Sequence, residues 1–203
     1  MTIAPWIIAA YLIGAIPTSY LAGKLGRGID LREHGSRNLG ATNVYRVLGW
    51  GYAIPVGVID IAKGALPVTL FPRWAHGPGW LPVVLGVAAV LGHMFSPYVR
   101  FRGGKGVATA AGMFLALAPL AIAISVIVWA GLLWLTGYVS VSSLTAAALF
   151  PLWTYLTLPG AQYTFWASVA SAGLIAFSHR ANIRRLLAGT ESRFRTRKGG
   201  VAA

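Results

Sequence analysis

The sequence contains no cysteine and only 4 acidic residues. Without thiols, the chain can form neither disulfides nor thiolate metal sites, and it cannot carry an acyl-cysteine intermediate. The acids Asp30, Glu33, Asp60 and Glu191 form no tight cluster, and no His-x-x-His pattern occurs. These residues give little support to catalysis by zinc or by a pair of divalent metal ions. We therefore predict neither a metal site nor a cofactor.

Charged residues of both signs are scarce as well, because they make up 10% of the 203 residues while hydrophobic residues make up 57%. This composition cannot coat a water-exposed globule, so it excludes a soluble enzyme, a disordered protein and a collagen-like polymer. We predict an all-α integral membrane protein with one polytopic domain over residues 1–203. Its seven candidate transmembrane helices are Ile3–Leu21, Tyr52–Phe71, Trp80–Phe95, Val107–Pro119, Leu120–Leu135, Val141–Leu158 and Phe165–Phe177.

The number of spans depends on Pro119, which either separates two short helices or interrupts one long helix. Cytoplasmic loops are enriched in Lys and Arg. Because this chain has a net charge of +13, the positions of its basic residues indicate which loops are cytoplasmic. With seven spans, the basic residues of segments 24–46, 100–105 and 180–198 lie on one side, and only Arg73 lies in a loop on the other side. With six spans, the basic C-terminal segment would lie opposite the other basic loops. We therefore predict seven spans, an external N-terminus, and a short basic cytoplasmic tail at about residues 190–203.

The first cytoplasmic segment reads His34-Gly-Ser-Arg-Asn-Leu-Gly-Ala-Thr-Asn43 and is followed by Arg46. Backbone N–H groups beside glycines, hydroxyl groups and an arginine can together surround a phosphate, especially where a helix begins near Thr42. The same residues also form ordinary turns between helices. The segment is thus either an anion-binding loop or a plain connection.

The second segment reads Gly92-His-Met-Phe-Ser-Pro-Tyr-Val-Arg-Phe-Arg-Gly-Gly-Lys-Gly-Val-Ala-Thr109. Lys105 lies among three glycines and is well placed to bind a phosphate. The segment is not a nucleotide-binding P-loop, because Val99 stands where the first glycine belongs and Gly106 stands where a Ser or Thr would hold magnesium. Arg100 and Arg102 suit either substrate contact or anchoring at lipid headgroups.

The third segment, Ser178-His-Arg-Ala-Asn-Ile-Arg-Arg-Leu-Leu, places His179 and Asn182 on one helical face. They either point into a common site or are polar residues of the membrane interface. We interpret Arg184 and Arg185 as anchors that face lipid. The serines of the turn Tyr138-Val-Ser-Val-Ser-Ser143 either donate to an anion or cap the next helix.

Asp60 and Lys63 interrupt the second span at a spacing of three residues. Unpaired charges inside a bilayer are costly, so a mutual ion pair is the favoured interpretation, with a direct catalytic role as the alternative.

Three motifs together make the chain resemble a known family. These are Gly35-Ser-Arg-Asn-Leu-Gly-Ala-Thr-Asn43, then Gly92-His-Met-Phe-Ser-Pro with Phe101-Arg-Gly-Gly-Lys-Gly-Val-Ala-Thr109, and finally His179-Arg-Ala-Asn-Ile-Arg-Arg-Leu-Leu-Ala-Gly-Thr-Glu191. Over nearly its whole length the chain resembles the bacterial acyl-phosphate-dependent glycerol-3-phosphate acyltransferases. The resemblance implies a multi-pass protein of the bacterial cytoplasmic membrane, with its active site on the cytoplasmic face.

The same resemblance implies a reaction and a set of substrates. A fatty acyl group would pass from acyl phosphate to the 1-hydroxyl of sn-glycerol 3-phosphate, giving lysophosphatidic acid and phosphate, as the first acylation step of phospholipid synthesis. No metal, cofactor or covalent intermediate is implied, because acyl phosphate is already activated. We expect contact with membrane lipid, but neither a nucleic acid partner nor an obligate protein partner.

The resemblance also implies roles for individual residues. Arg46 and Lys105 would be the principal phosphate cations, with His179, Asn182 and Ser143 completing the catalytic set, and Ser143 is preferred to Ser140 or Ser142. The substrate-binding residues implied are Gly35, Ser36, Asn38, Gly40, Ala41, Thr42, Asn43, His93, Ser96, Gly103, Gly104, Gly106 and Thr109. Arg37 stands where many members carry glycine, so we expect a less glycine-like backbone there.

Two other functions compete with this interpretation. An organic-anion carrier would place its site near the bilayer midplane between repeated halves, whereas these motifs cluster at one surface and no repeat is visible. A phosphatidyl-transferring enzyme that uses a nucleotide-activated lipid would need several Asp residues to hold metal, and this chain does not supply them.

Overall fold

The computed structural model describes residues 2–194, and all regular structure in this range is helical. The predicted tail lies outside the described residues from Arg195 onward. A short 3-10 turn at Pro97–Val99 follows the fifth helix. The ten α-helices are α1 Ala4–Ala15, α2 Thr18–Arg27, α3 Ala41–Leu48, α4 Trp50–Ala75, α5 Leu81–Met94, α6 Val107–Leu117, α7 Pro119–Thr136, α8 Val139–Thr157, α9 Gln162–Ser178 and α10 Arg180–Leu187.

Five helical segments are long and apolar enough to cross a membrane, which confirms an all-α membrane protein. They are Ala4–Arg27, Trp50–Ala75, Leu81–Val99, Pro119–Thr136 and Val139–Thr157. The other two predicted spans correspond to α6, with 11 residues, and α9, with 17 residues. At 1.5 Å per residue α6 is about 17 Å long, which is well short of a hydrocarbon core of about 30 Å.

The predicted division at Pro119 is confirmed, although the proline begins the second helix instead of ending the first. Ala118 separates α6 from α7 in a non-helical conformation, and Pro119 is the first residue of α7. Proline suits this position because the first helical N–H has no partner within the helix.

A break at Pro17 was not predicted, because the apolar run from Ile3 to Leu21 reads as one helix. Pro17 has no N–H to continue the helix, and α1 ends at Ala15 while α2 begins at Thr18. The break leaves backbone carbonyls open to side chains from other helices. Ser96 Oγ donates to the Ala15 carbonyl, and Lys63 Nζ donates to the Ile16 carbonyl at 2.9 Å.

Small residues allow the central helices to touch along their backbones. Gly14 of α1 lies against Ala89 of α5, and Gly64 of α4 lies against the Thr109 carbonyl of α6. A side chain at either glycine would overlap the neighbouring backbone. Close backbone contact of this kind is a main source of helix association in lipid, where the hydrophobic effect does not drive helices together.

The helices form two connected groups. In the first, α1 packs on α5, and α4 packs on α5 and α6; in the second, α8 packs between α7 and α9. Phe114 of α6 and Phe150 of α8 join the two groups, and the centroids of their rings are 4.5 Å apart. Both rings belong to the largest buried cluster.

The predicted ion pair inside the second span is confirmed. Lys63 Nζ lies 2.8 Å from Asp60 Oδ1, and both side chains are almost fully buried. A buried pair of this kind satisfies both charges where water cannot.

The polar connections meet at one end of the helices. Arg32 Nη1 donates to the Val99 carbonyl at 3.2 Å, which joins the connection between α2 and α3 to the connection between α5 and α6. The amide of Phe194 donates to the Gly137 carbonyl at 2.7 Å, which joins the C-terminal segment to the turn between α7 and α8. Arg46 Nη2 of α3 donates to the Ser192 carbonyl at 3.2 Å and links these two pairs, so four regions that are distant in sequence are neighbours in space.

Candidate active site

The candidate site is centred on Lys105. Its Nζ donates to Asn182 Oδ1 at 2.5 Å, and Asn182 Nδ2 in turn donates to Glu191 Oε1 at 2.6 Å. The Glu191 carboxylate also accepts from Ser140 Oγ at 2.8 Å and from Arg185 Nε at 2.7 Å. This network, which we call the Lys105 cluster, joins α8, α10, the C-terminal segment and the loop Gly103–Gly106, which we call the glycine loop.

Glycines place Lys105 against the end of α5. The amides of Gly103 and Gly104 donate to the carbonyls of Met94 and His93, each at 3.1 Å. A Cβ on either glycine would overlap His93, either at its carbonyl or at its ring. Gly106 has φ 81° and is the N-cap residue immediately before α6. The segment can therefore approach α5 this closely only with glycine on both sides of the turn.

The Lys105 ammonium is partly buried among other cations. Burial, together with the charges of Arg185 and Arg46 and against the favourable charge of Glu191, lowers the pKa of Lys105 to about 8. Lys105 therefore remains mostly protonated at neutral pH and can bind an anion.

Glu191 is the counterion of the Lys105 cluster. Burial alone would raise its pKa, but hydrogen bonds from Asn182, Arg185 and Ser140 outweigh burial, and the pKa lies below its usual value. Glu191 is thus ionised at neutral pH and partly balances three cations.

His179 is buried between α9 and α10. Its Nδ1 lies 2.8 Å from the Ile175 carbonyl, which fixes Nδ1 as the donor and leaves Nε2 as the unprotonated nitrogen. Burial first, and then the charge of Lys105, lowers the pKa of His179 to about 4. The imidazole is therefore neutral at physiological pH.

Arg46 extends from α3 toward the Lys105 cluster. Its Nη2 donates to the Ser192 carbonyl at 3.2 Å, one residue beyond Glu191. Helix α3 begins at Ala41 after an extended Gly40, which is where the sequence suggested that a helix would begin.

Asn43 shapes the loop before α3 from within. It is buried, its Oδ1 accepts from the Ser36 amide at 2.8 Å, and its Nδ2 donates to the carbonyls of Leu31 and His34. In the described part of the chain, the side chains of Ser36, Asn38 and Thr42 form no hydrogen bond. They are available to a ligand, whereas Asn43 is already fully engaged.

The expectation of a less glycine-like backbone at Arg37 is wrong. Arg37 has φ 60°, in the left-handed region that favours glycine. The amide of Arg37 donates to the His34 carbonyl, and Asn43 holds the adjacent Ser36 amide. These two hydrogen bonds stabilise the turn that holds Arg37 in this conformation.

The structure does not bring every predicted residue to the Lys105 cluster. Ser143 accepts from Trp129 Nε1 at 3.1 Å, and Ser140, one turn earlier on the same face of α8, is the serine that bonds Glu191. His93 and Ser96 are buried beneath the glycine loop, whereas Thr109 is buried within α6 and lies against Gly64 of α4. The remaining predicted binding residues lie beside these segments: Gly35 and Gly40 in the loop before α3, Ala41 at the first position of α3, and Gly106 at the end of the glycine loop.

Sequence reasoning missed Glu191 and Arg185 as members of the site. Arg185, which we expected to face lipid, instead pairs with Glu191. Gly189 has φ 69°, and the turn after α10 closes when the Thr190 amide donates to the Arg185 carbonyl at 2.8 Å. One signal was present in the sequence, because Glu191 is the single acid within a strongly basic segment.

Comparison with known proteins identifies the family. The family model described as glycerol-3-phosphate acyltransferase matches residues 4–189. The chain belongs to the glycerol-3-phosphate acyltransferase family. It is 42% identical to the glycerol-3-phosphate acyltransferase of Fusobacterium nucleatum, over 94% of this chain and 97% of the relative. It is 45% identical to that of Trichlorobacter lovleyi, over 94% and 96%.

Two crystal structures of family members have the same fold. Both are of PlsY (YgiH), an integral membrane glycerol 3-phosphate acyltransferase. The glycerol 3-phosphate form matches with a TM-score of 0.89 at 38% identity, over 95% of this chain and 96% of that one. The lysophosphatidic acid form matches with a TM-score of 0.86 at 37% identity, over 94% of each chain.

The protonation of Lys105 can be tested without an activity assay. Acetylation of its amine by acetic anhydride, followed by mass spectrometry across a pH series, is expected to show a midpoint of about 8. In Glu191→Gln the midpoint should fall, because the carboxylate that favours the charged lysine is gone. A wild-type midpoint near that of an exposed lysine, about 10.4, would contradict this description of the site.

Proposed function

We propose that the chain transfers a fatty acyl group from acyl phosphate to the 1-hydroxyl of sn-glycerol 3-phosphate, giving lysophosphatidic acid and inorganic phosphate. Membership of the family supports glycerol-3-phosphate acyltransferase activity, and the acyl phosphate donor is our inference. The observation that carries the proposal is the Lys105 cluster, where Lys105, Arg46 and Arg185 outnumber the single carboxylate of Glu191. Such an excess of positive charge suits a substrate phosphate.

In this proposal, Lys105 and Arg46 bind the phosphate of glycerol 3-phosphate, as phosphate is the group that their charges complement. Asn182 orients the lysine through its amide oxygen, at 2.5 Å from Nζ. Ser36, Asn38 and Thr42 supply hydroxyl and amide groups from the loop before α3. The acceptor is thereby held with its 1-hydroxyl beside the acyl carbonyl, and positioning of this kind can supply much of the rate acceleration.

The chemical step needs no covalent intermediate on the enzyme. The 1-hydroxyl oxygen attacks the acyl carbonyl carbon, a new C–O ester bond forms, and the C–O bond to phosphate breaks. Phosphate leaves with the bonding electron pair. The nearby cations stabilise the charge that develops on the carbonyl oxygen and on the leaving group.

The proton of the attacking hydroxyl passes to a substrate phosphate in this proposal. A phosphate monoester has a second pKa of about 6, so its dianion is a stronger base than His179, whose pKa is about 4. Glu191 is a poor candidate because three side chains already donate to its carboxylate. An Asp or His variant that binds both substrates but has lost the chemical step would contradict this assignment.

The activity can be tested with purified protein in a lipidic medium that contains EDTA. Given palmitoyl phosphate, the wild type should release phosphate only when glycerol 3-phosphate is present, with lysophosphatidic acid as the second product. Lys105→Ala should reduce this release about 100-fold, because a charge-assisted contact to phosphate contributes about 3 kcal/mol. Lys24→Ala, which removes an exposed lysine from α2, is the matched control and should retain activity.

The other outcomes of this experiment identify the rival functions. Release without acceptor would indicate a hydrolase. A folded protein that releases no phosphate but moves glycerol 3-phosphate across vesicles would indicate a carrier.

We also propose seven transmembrane helices, with the N-terminus outside and the Lys105 cluster at the cytoplasmic face of a bacterial inner membrane. Helices α6 and α7 support the proposal because they form a hairpin. Helix α6 leaves the glycine loop, and α7 returns to Gly137, whose carbonyl contacts the C-terminal segment. In the proposed topology the basic loops share one side, in agreement with the positive-inside rule.

The absence of cysteine makes this topology simple to test with single cysteines. In intact cells, a membrane-impermeant maleimide should label Gly79→Cys, in the exposed connection before α5, and should not label Leu187→Cys, which is exposed at the end of α10. Both cysteines should react after the membrane is permeabilised. Labelling of Leu187→Cys in intact cells would invert the orientation.

A further inference from the structure

A second polar network lies inside the helices, separate from the Lys105 cluster. Asp60 Oδ1 accepts from Thr18 Oγ1 at 2.6 Å and lies 2.8 Å from Lys63 Nζ. His93 Nδ1 is 3.7 Å from the same oxygen, and Lys63 also donates to the Ile16 carbonyl. All four side chains are at most 7% exposed. The network joins the break between α1 and α2 to α4 and to the end of α5.

This network lies directly beneath the loop that carries Lys105. The Gly104 amide donates to the His93 carbonyl, and a Cβ added at Gly104 would overlap the His93 ring. Ser96, two residues after Met94, holds the Ala15 carbonyl on the other side of the loop. The backbone next to Lys105 therefore packs against His93, whose ring lies near Asp60.

The space between the network and the loop is very small and is lined by both polar and apolar residues. It is lined by Ser19, His93, Gly103 and Gly104 among others, and its volume of about 10 Å³ is close to that needed for one water molecule. Ser19 Oγ is buried there and has no hydrogen-bond partner among the described residues. The loop thus packs against a mixed lining, in which Ser19, His93 and Ser96 supply polar groups and Ile16 and Leu39 supply apolar ones.

We propose that Asp60 is a positioning residue for the Gly103–Lys105 loop, and that it acts through His93 while Thr18 and Lys63 hold its carboxylate. His93 and Ser96 then support the loop from beneath instead of contacting substrate. The inference rests on the proposed function, because it assigns the loop the task of holding Lys105 against a substrate phosphate.

A purely stabilising role for the Asp60–Lys63 pair predicts a different result from a positioning role. Replacing both members of a buried ion pair by hydrophobic residues of similar size is often neutral or stabilising. The double variant Asp60→Leu/Lys63→Met should therefore fold, with an unfolding temperature close to that of the wild type. We expect its KM for glycerol 3-phosphate to rise about tenfold while kcat changes less than twofold. An unchanged KM in the folded variant would overturn the proposal.

A milder series tests the same network if the double variant does not fold. Thr18→Val removes the hydroxyl that donates to Asp60, and Thr18→Ser keeps it. We expect Thr18→Val to raise the KM about threefold and Thr18→Ser to restore it. Thr154→Val is the matched control, since this buried threonine bonds only the Phe150 carbonyl of its own helix. Equal effects of Thr18→Val and Thr154→Val would refute a positioning role.

A spin label gives a readout that does not require turnover. A nitroxide on Arg102→Cys, exposed in the loop, should become more mobile in the double variant and in Thr18→Val. A label on Gln162→Cys, exposed at the start of α9, should not change. If the wild type proves inactive, the proposed function fails while the label still decides whether Asp60 positions the loop. Unchanged mobility at position 102 would overturn the proposal.

Discussion

The hydrogen bond from Lys105 to Asn182, with Glu191 behind it, is the interaction on which the candidate site depends. Lys105, Arg46 and Arg185 would repel one another if no anion lay among them. Glu191 reduces that repulsion but leaves an excess of positive charge for a phosphate. Because Lys105 and Asn182 are 77 residues apart, this one contact also fixes how the glycine loop meets α10.

Lipid explains why the rest of the molecule is built as it is. Backbone polar groups must be satisfied within the protein at membrane depth, and the break at Pro17 meets this condition through Ser96 and Lys63. Helices associate through glycine contacts such as Gly64 with Thr109, where the absence of a side chain lets the two backbones touch. The packed helices hold the loops in place, and the loops contain charged residues of the site such as Lys105.

Local patterns were enough to predict part of this structure. The Asp60–Lys63 pair follows from helical spacing, and the division at Pro119 follows from the properties of proline and from the distribution of charge. The start of α3 beside Thr42 follows from the glycine before it. Each of these features depends on residues close together in sequence.

Features that depend on contacts between distant segments could not be predicted in the same way. Ser140 and Ser143 lie one turn apart on α8, and only the packing of α8 against the C-terminal segment determines which of them meets Glu191. Arg185 reads as a lipid anchor until the turn at Gly189 brings Glu191 back to it. The break at Pro17 lies within a continuous apolar run. It is stabilised by Ser96 and Lys63, which donate hydrogen bonds to the carbonyls that the break leaves open.

The most direct test of the central claim is a structure of this protein with glycerol 3-phosphate bound. The account predicts the phosphate within hydrogen-bonding distance of both Lys105 Nζ and the Arg46 guanidinium. A phosphate bound instead in the separate surface pocket lined by Asp30, Arg32, Glu33, Arg100 and Arg102 would contradict it.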